Sequence, residues 1–269
     1  MKRAAARNGC SWKASAVAEP PDVRRDPFAA LRQATAARVG LGRAGQGLPT
    51  APMLAFQLAH ARARDAVHAP LDLGQIGAAL GRASVVVDSA APDRATYLQS
   101  PDLGRRLDKS ASSLTPGDYD LAIVLADGLS ATAVHAHGPA VVSALAARLG
   151  DWSLAPIVIA RQARVAIGDP IGEALGAKVV VVLIGERPGL SAADSLGAYL
   201  TWDPKPGRRD SERNCVSNIR APGGLSPEQA ADKIGWLLRE AKRLGFSGVD
   251  LKDRSSGGIL DDGGGERLG

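Results

Sequence analysis

The plainest pattern in the chain is a run of six apolar residues at 179–184, four of them valines. Six residues are too few to cross a bilayer, which takes about 20 apolar residues in a helix. The run is typical of a strand buried on both faces, as in a parallel sheet covered by helices. Glu186 and Arg187 follow the strand, and Pro188-Gly189 predicts a turn after them. Because ligands of open parallel sheets bind beyond the carboxyl ends of the strands, this charged pair marks a candidate binding edge.

Further apolar runs alternate with helical patterns through the second half of the chain. We predict three strands at 120–126, 155–160 and 179–184. Two helices are predicted at 140–149 and 170–176, and an added edge strand at 199–202. This alternation indicates βαβ units, and therefore an α/β fold with a mainly parallel, Rossmann-like sheet flanked by helices. A final helix is predicted to begin at the capping box of Ser226 and Gln229 and to end at Gly245.

The first half of the chain is predicted to be mostly helical. One helix has Asp26 as its N-cap and ends near Gly40, a second has Thr50 as its N-cap, and a third opens at Pro101. A short strand is predicted at 84–88. We therefore divide the chain into a disordered basic tail (1–25), a mostly helical region (26–118), an α/β domain (119–252) and a disordered glycine-rich tail (253–269).

The net charge of +5 is concentrated at the amino end. Residues 1–25 hold six basic and two acidic side chains, so the rest of the chain is nearly neutral. Aromatic residues make up only 4% of the chain, which leaves few side chains to stack on bases, and we expect no nucleic-acid surface. The amino end lacks the apolar segment of a signal peptide, and no run is long enough to span a membrane. The sequence therefore predicts a cytoplasmic protein without membrane contact.

Motifs for catalysis and metal binding add little. Segment 40–45 reads G-x-G-x-x-G, but a dinucleotide site needs a strand before that motif, and here a helix precedes it. A glycine-rich connection that exposes Arg43 is favoured instead. The four histidines show no metal-ligand spacing, Ser130 lies outside any G-x-S-x-G sequence, and two cysteines are too few for a disulfide framework. Composition and spacing alone indicate an α/β protein with a binding crevice and no metal site.

Eight sequence segments are more informative about function than these isolated motifs, because they occur together and in a fixed order. They include SPDLGRRL, ADGLS, GERPGL and RNCVSNI, and they lie at 35–45, 100–107, 126–130, 164–165, 171–173, 175–180, 185–190 and 213–219. The ordered set resembles the small (light) subunit of ethanolamine ammonia-lyase, the adenosylcobalamin-dependent enzyme that converts ethanolamine to acetaldehyde and ammonia. The resemblance covers about 27–244.

The resemblance implies a division of labour between two subunits. In this family a large, barrel-shaped subunit holds the ethanolamine and performs most of the radical chemistry, in which the amino group migrates and ammonia leaves. The small subunit covers the adenosylcobalamin at the interface of the hetero-oligomer, and it supplies no catalytic acid or base. The family positions that contact the cobalamin fall on Val165, Glu186 and Cys215. Some relatives enter a bacterial microcompartment, a location left open here because the amino end shows no clear amphipathic pattern.

Each of these three residues has an alternative role. Glu186 accepts hydrogen bonds from the cofactor, or it forms a salt bridge with Arg187 or with another neighbouring arginine. Cys215 makes a soft contact with the corrinoid, or it is a buried packing cysteine. Val165 is an apolar wall of the cofactor site, or it belongs to the core. For the whole chain, the alternatives are a stand-alone corrinoid- or nucleotide-binding module and a non-catalytic scaffold for a partner.

Overall fold

The computed structural model describes residues 26–35 and 37–254. The chain falls into two units, 1–50 and 51–269. Nearly all of both predicted tails, 1–25 and 253–269, lies outside the described residues. Among the described residues, no helix combines the length and the hydrophobicity that a membrane span requires.

In the described part of the chain, six strands form a mixed sheet in the order β1-β3-β2-β4-β5-β6. The strands are β1 (Ser84–Asp88), β2 (Tyr119–Ala126), β3 (Ile157–Arg161), β4 (Ala177–Gly185), β5 (Leu196–Trp202) and β6 (Arg213–Ile219). The first four strands of the sheet pair in parallel, β5 pairs antiparallel with β4, and β6 pairs antiparallel with β5. The α/β class is confirmed, but the sheet is mixed and a Rossmann-like arrangement is not confirmed.

The helices are α1 (Ala29–Ala34), α2 (Thr50–His68), α3 (Leu73–Leu80), α4 (Arg94–Gln99), α5 (Ala131–Arg148), α6 (Gly168–Leu175) and α7 (Pro227–Leu244). The predicted limits of α7 are confirmed. Ser226 Oγ accepts from the Gln229 amide at 3.2 Å, and Gln229 Oε1 accepts from the Ser226 amide at 2.9 Å. Gly245 ends the helix at φ +76°, a backbone conformation that favours glycine.

The core lies on both faces of the sheet. On one face α5 packs against β2 and β4, and α7 packs against β5 and β6. On the opposite face α6 packs against β2 and β4. Alternate residues of β4, such as Val181 and Val182, therefore enter different cores, and both are buried. This explains the unbroken apolar run. On the α6 face, β6 leaves Cys215 and Ser217 exposed, and this open face is where the candidate site lies.

The predicted first helix is shorter than expected, and its predicted N-cap is wrong. The N-cap is Phe28, whose amide donates to the Asp26 carboxylate at 2.9 Å. The helix ends at Ala34, because Thr35 is extended and its hydroxyl accepts a hydrogen bond from the amide two residues later. Such local side-chain hydrogen bonds compete with continuation of a helix.

The start predicted for α5, at Ala140, is also wrong. The helix begins nine residues earlier, where Ser130 caps it by accepting from the Ala133 amide at 3.2 Å. Gly138 and Pro139 in the sequence suggest a break, yet both lie inside the helix. Proline removes one hydrogen-bond donor, and here the tertiary packing of the helix outweighs that loss.

Two further predictions need correction. The helix predicted from Pro101 is a single 3-10 turn, Leu103–Arg105. The strand predicted at 199–202 belongs to β5, which is not an edge strand because β6 pairs beside it. The sequence does not predict β6, which carries several polar side chains on its exposed positions.

Gly128 sets how the turn after β2 meets the end of β4. Its φ is +55°, and a Cβ at this position would lie 2.3 Å from the Gly185 carbonyl oxygen. The amide of Leu129 donates to that same oxygen at 2.9 Å. Gly81, which ends α3, has nearly the same φ of +56° but nothing within 4 Å of a Cβ. The two glycines thus share a backbone conformation, but only Gly128 has a close neighbour that leaves no room for a Cβ.

We expect Gly81→Ala to lower the free energy of unfolding by about 1–2 kcal/mol, the cost of a left-handed alanine. Gly128→Ala should cost about 1–3 kcal/mol more, because the methyl group meets the backbone of β4. Urea unfolding of both variants and of the parent chain measures the difference. Equal losses in the two variants would contradict the close packing of this turn on β4.

Candidate functional site

A buried carboxylate organises the turn that follows β3. Asp127 is 3% exposed, and its carboxylate accepts from the amides of Gln162 and Ala163, both at 2.9 Å. Burial raises the pKa of Asp127, while these two hydrogen bonds and the charge of Arg94 act in the opposite direction. An Arg94 guanidinium nitrogen lies 3.5 Å from the carboxylate. Gln162 has a φ of +51°, so the carboxylate holds a backbone conformation that is unfavourable for glutamine.

This turn places Arg164 and Val165 directly beyond it. The Arg164 amide donates to the Gly104 carbonyl at 2.7 Å, and the Arg164 guanidinium lies 4.6 Å from the centre of the Tyr97 ring. The Tyr97 hydroxyl donates to the Ala163 carbonyl at 3.0 Å. Burial raises the pKa of Tyr97 to about 12, so this phenol stays neutral. Val165 begins a 3-10 turn that leads into α6.

Glu186 lies immediately after β4 and is held by hydroxyl groups. Its carboxylate accepts from Ser195 Oγ and from Ser217 Oγ, each at 2.5 Å. The side chain lies over Gly197, where a Cβ would approach Glu186 Oε1 to 2.8 Å. A carboxylate oxygen has two lone-pair sites, so Glu186 retains capacity to accept further hydrogen bonds. The alternative, a salt bridge to a neighbouring arginine, does not account for these contacts.

Tyr199 and Cys215 face each other across β5 and β6. Cys215 is exposed, so the alternative of a buried packing cysteine is wrong. Partial desolvation raises the pKa of the Cys215 thiol, hydrogen bonding with Tyr199 opposes the shift, and the charge of Glu186 adds to it. Burial likewise raises the pKa of Tyr199, again with a contribution from Glu186. Both groups are therefore neutral at physiological pH.

An open pocket of about 290 Å³ brings several of these residues together. It is lined by Arg105, Arg164, Val165, Ala166, Tyr199, Asp210, Arg213 and Cys215. Glu186 lies beside it, because the hydroxyl that it binds belongs to Ser217, two residues from Cys215 on the same face of β6. Val165 lines this pocket and also packs against the core under α6, and its contact with a cofactor stays a prediction. The structure thus gathers Val165, Glu186 and Cys215 on one open face.

A buried ion pair supports the floor of this pocket. The guanidinium of Arg213 donates to both carboxylate oxygens of Asp169 at 2.7 Å, and to Thr201 Oγ1 at 2.8 Å. Both charged side chains are 2% exposed. Burial disfavours the charged guanidinium, but the hydrogen bonds and negative charges of Asp169 and Asp210 together outweigh this and raise the pKa of Arg213. The pair joins β6 to the start of α6.

The remaining sequence candidates lie elsewhere. Segment 40–45 follows α1 and makes a turn closed by hydrogen bonds between Ala44 and Gly47, so the strand that a dinucleotide motif requires does not precede it. His135 accepts from the Asp72 amide at 2.9 Å, and His137 Nε2 lies 3.7 Å from an Asp194 oxygen. Within 26–35 and 37–254, no group of three or more His, Cys, Asp or Glu side chains is arranged to hold a metal ion.

Sequence reasoning missed the pocket residues Tyr199 and Arg105. A signal for Tyr199 exists, because Gly197, Tyr199 and Thr201 alternate with the apolar residues of β5. That alternation predicts one buried and one open face. No comparable signal exists for Arg105, because only the fold brings the 3-10 turn at 103–105 next to β5 and β6.

Comparison with known proteins gives a consistent result. A family model described as Ethanolamine ammonia-lyase light chain (EutC) matches residues 25–252. The chain is 55% identical over 254 residues to the ethanolamine ammonia-lyase small subunit of Xanthomonas campestris pv. campestris (strain B100), covering 90% of this chain and 93% of that protein. It is 50% identical over 256 residues to the small subunit of Ralstonia nicotianae, covering 91% and 94% of the two chains.

The raised pKa of Cys215 makes a prediction about its reactivity. In a Cys10→Ser chain, iodoacetamide should alkylate Cys215 slowly at neutral pH. The alkylation rate should rise with pH, and the pH at which it is half-maximal should be higher than for a cysteine in an unstructured peptide. Replacing Glu186 by Gln removes a negative charge, so the midpoint should move down. Mass spectrometry across a pH series measures both. A midpoint at or below that of the peptide would contradict the described environment of the thiol.

Proposed function

Since this chain belongs to the ethanolamine ammonia-lyase light-chain family, we propose that it covers one side of an adenosylcobalamin held between it and the large subunit. The chain is a subunit of a carbon–nitrogen lyase and functions together with that large subunit. The observation that carries the proposal is the open face of β5 and β6, where Val165 and Cys215 share a pocket beside Glu186. Placement in the cytoplasm or in a microcompartment stays a prediction.

The chemistry of this face suits one edge of a corrinoid. A corrinoid is a large, flat ring system with amide side chains at its rim. The pocket of about 290 Å³ is too small to enclose it, but it is open to solvent and can receive part of the rim. Cys215 and Val165 offer soft and apolar contacts, while the Glu186 carboxylate can accept hydrogen bonds from amide N–H groups. Adenosylcobalamin, when bound, supplies a cobalt–carbon bond that breaks to give radicals.

This chain's own part is binding and exclusion of water. Its titratable groups on the open face include two neutral ones, Tyr199 and Cys215, and one carboxylate that is already hydrogen-bonded. Burial raises the pKa of both Tyr199 and Cys215, so neither group is poised for proton transfer at neutral pH. We therefore assign the substrate and the chemical steps to the large subunit, and to this chain one wall of the cofactor site.

Mixing the separate subunits tests the proposed function. Ethanolamine deamination should require this chain, the large subunit and adenosylcobalamin together. Full activity of the large subunit alone would contradict the proposal. Tight corrinoid binding by this chain alone would favour the alternative of a stand-alone corrinoid-binding module, and assembly without any effect on cofactor affinity would favour a scaffold.

Glu186→Ala tests the most polar of the three contacts. In the assembled enzyme the variant should bind adenosylcobalamin more weakly by about 1–3 kcal/mol, because a hydrogen bond to the cofactor is lost. Glu173→Ala is the matched control, since Glu173 is an exposed carboxylate on α6 outside the pocket. Equilibrium titration followed by the absorption of the corrinoid measures both. Equal affinities for Glu186→Ala and the parent enzyme would reject this role for Glu186.

A further inference from the structure

The pocket beside Cys215 carries positive charge that the chain itself does not neutralise. Two adjoining pockets, of about 290 and 530 Å³, share Arg105 and Ala166 in their walls. Five arginines line them, and three have acidic partners: Arg106 with Asp102, Arg208 with Asp203 and Glu212, and Arg213 with Asp169. In the described part of the chain, Arg105 and Arg164 show no such ion pair. Both line the pocket that contains Val165 and Cys215.

Arg164 is fixed in place without a counter-charge. Its guanidinium stacks on the Tyr97 ring at 4.6 Å, and its Nε atom is buried with no hydrogen-bond partner in the described structure. Gly104 makes room for this arrangement, because a Cβ there would lie 2.9 Å from both the Arg164 side chain and the Tyr97 ring. A guanidinium held by stacking keeps its terminal N–H donors for a ligand, and it loses little conformational freedom on binding.

Arg105 follows Gly104 and faces the same pocket from an exposed position. One carboxylate, Asp210, also lines this pocket, and it lies 3.6 Å from the Nε atom of Arg213. Asp210 is thus associated with a third arginine and not with either of the two in question. Among the described residues, the pocket therefore presents two guanidinium groups without an ion-pair partner, next to the residues proposed to meet the cofactor. Paired arginines of this kind recognise phosphate groups through charge-assisted hydrogen bonds.

We infer that Arg105 and Arg164 form an anion subsite that receives a phosphate group. Its proposed occupant is the phosphodiester in the nucleotide arm of adenosylcobalamin, and in this form the inference rests on the proposed function. The cofactor carries this single phosphate at one side of its ring, so the subsite would also set the direction in which the ring lies across β5 and β6. A free phosphate ion would satisfy the same guanidinium groups, and the test separates the two sources.

The test compares two cofactors in the assembled enzyme. Adenosylcobinamide keeps the corrin ring and the adenosyl group but lacks the phosphate and the nucleotide base. Arg105→Gln and Arg164→Gln should each weaken the binding of adenosylcobalamin by roughly 10-fold or more, since a hydrogen bond between charged groups is lost. Binding of adenosylcobinamide should be unchanged. Arg243→Gln is the matched control, because Arg243 is an exposed arginine of α7 paired with Glu240.

A second arm titrates the cofactor-free enzyme with inorganic phosphate, in chloride buffer of matched ionic strength. If both substitutions abolish phosphate binding but leave the affinity for adenosylcobalamin unchanged, the two arginines form an anion subsite whose occupant is free phosphate. Unchanged affinity for adenosylcobalamin together with no phosphate binding would overturn the inference. So would an equal loss for both corrinoids together with weaker subunit association, which would assign the arginines to acidic residues of the large subunit.

Failure of the proposed function has a different signature. In that case the parent enzyme would bind neither corrinoid through this chain, while the phosphate arm would still report on Arg105 and Arg164. Arg105→Gln guards against a folding artefact, because Arg105 is exposed and makes no ion pair within the described residues. Arg164→Lys provides a further check, since it keeps the charge but loses the planar stacking on Tyr97. It should recover part of the affinity lost in Arg164→Gln.

Discussion

The buried carboxylate of Asp127 is the constraint on which the site depends. It lies at the end of β2 and holds two successive amides of the turn after β3, with Arg94 beside it. These hydrogen bonds help to offset the cost of the left-handed conformation of Gln162. That turn delivers Arg164 and Val165 to the pocket. A single charged group therefore connects the parallel core of the sheet to two residues that line the pocket.

A second constraint is the unequal covering of the sheet. Helices bury both faces of β4, but the antiparallel addition of β5 and β6 extends the sheet past α6. The exposed face of β6 then carries Cys215 and Ser217, with Glu186 held across the end of β4 by two hydroxyls. A rigid, partly polar surface of this kind suits a partner that is flat and has polar groups at its rim. It lacks the enclosure that a complete active site requires, which agrees with the proposed role of a subunit that covers a cofactor held by another.

Local sequence predicts part of this structure well. Buried parallel strands are continuous apolar runs, so β2, β3 and β4 are recognisable from hydrophobicity. Capping residues act locally, and for that reason both ends of α7 are predictable. β6 is not predictable in this way, because its place depends on pairing with β5 and on the ion pair between Arg213 and Asp169, which lie 44 residues apart. The length of α5 likewise depends on packing that overrides Pro139.

The candidate site likewise contains residues that the sequence can predict and residues that it cannot. Glu186 follows from its position after a buried strand, whereas Val165 and Cys215 come from family resemblance, since spacing alone does not connect residues on different elements. The fold supplies the connection by placing both in one pocket. The uncompensated charges of Arg105 and Arg164 are visible only in three dimensions, because it takes the structure to show which arginines have acidic partners.

Protection of Cys215 in the assembled enzyme tests the central claim most directly. The rate of Cys215 alkylation should be measured with and without saturating adenosylcobalamin, in the complex of both subunits. If the cofactor lies against the open face of β5 and β6, its addition should slow the alkylation markedly. An unchanged rate, with the cofactor shown to be bound, would place the corrinoid away from this face and contradict the account.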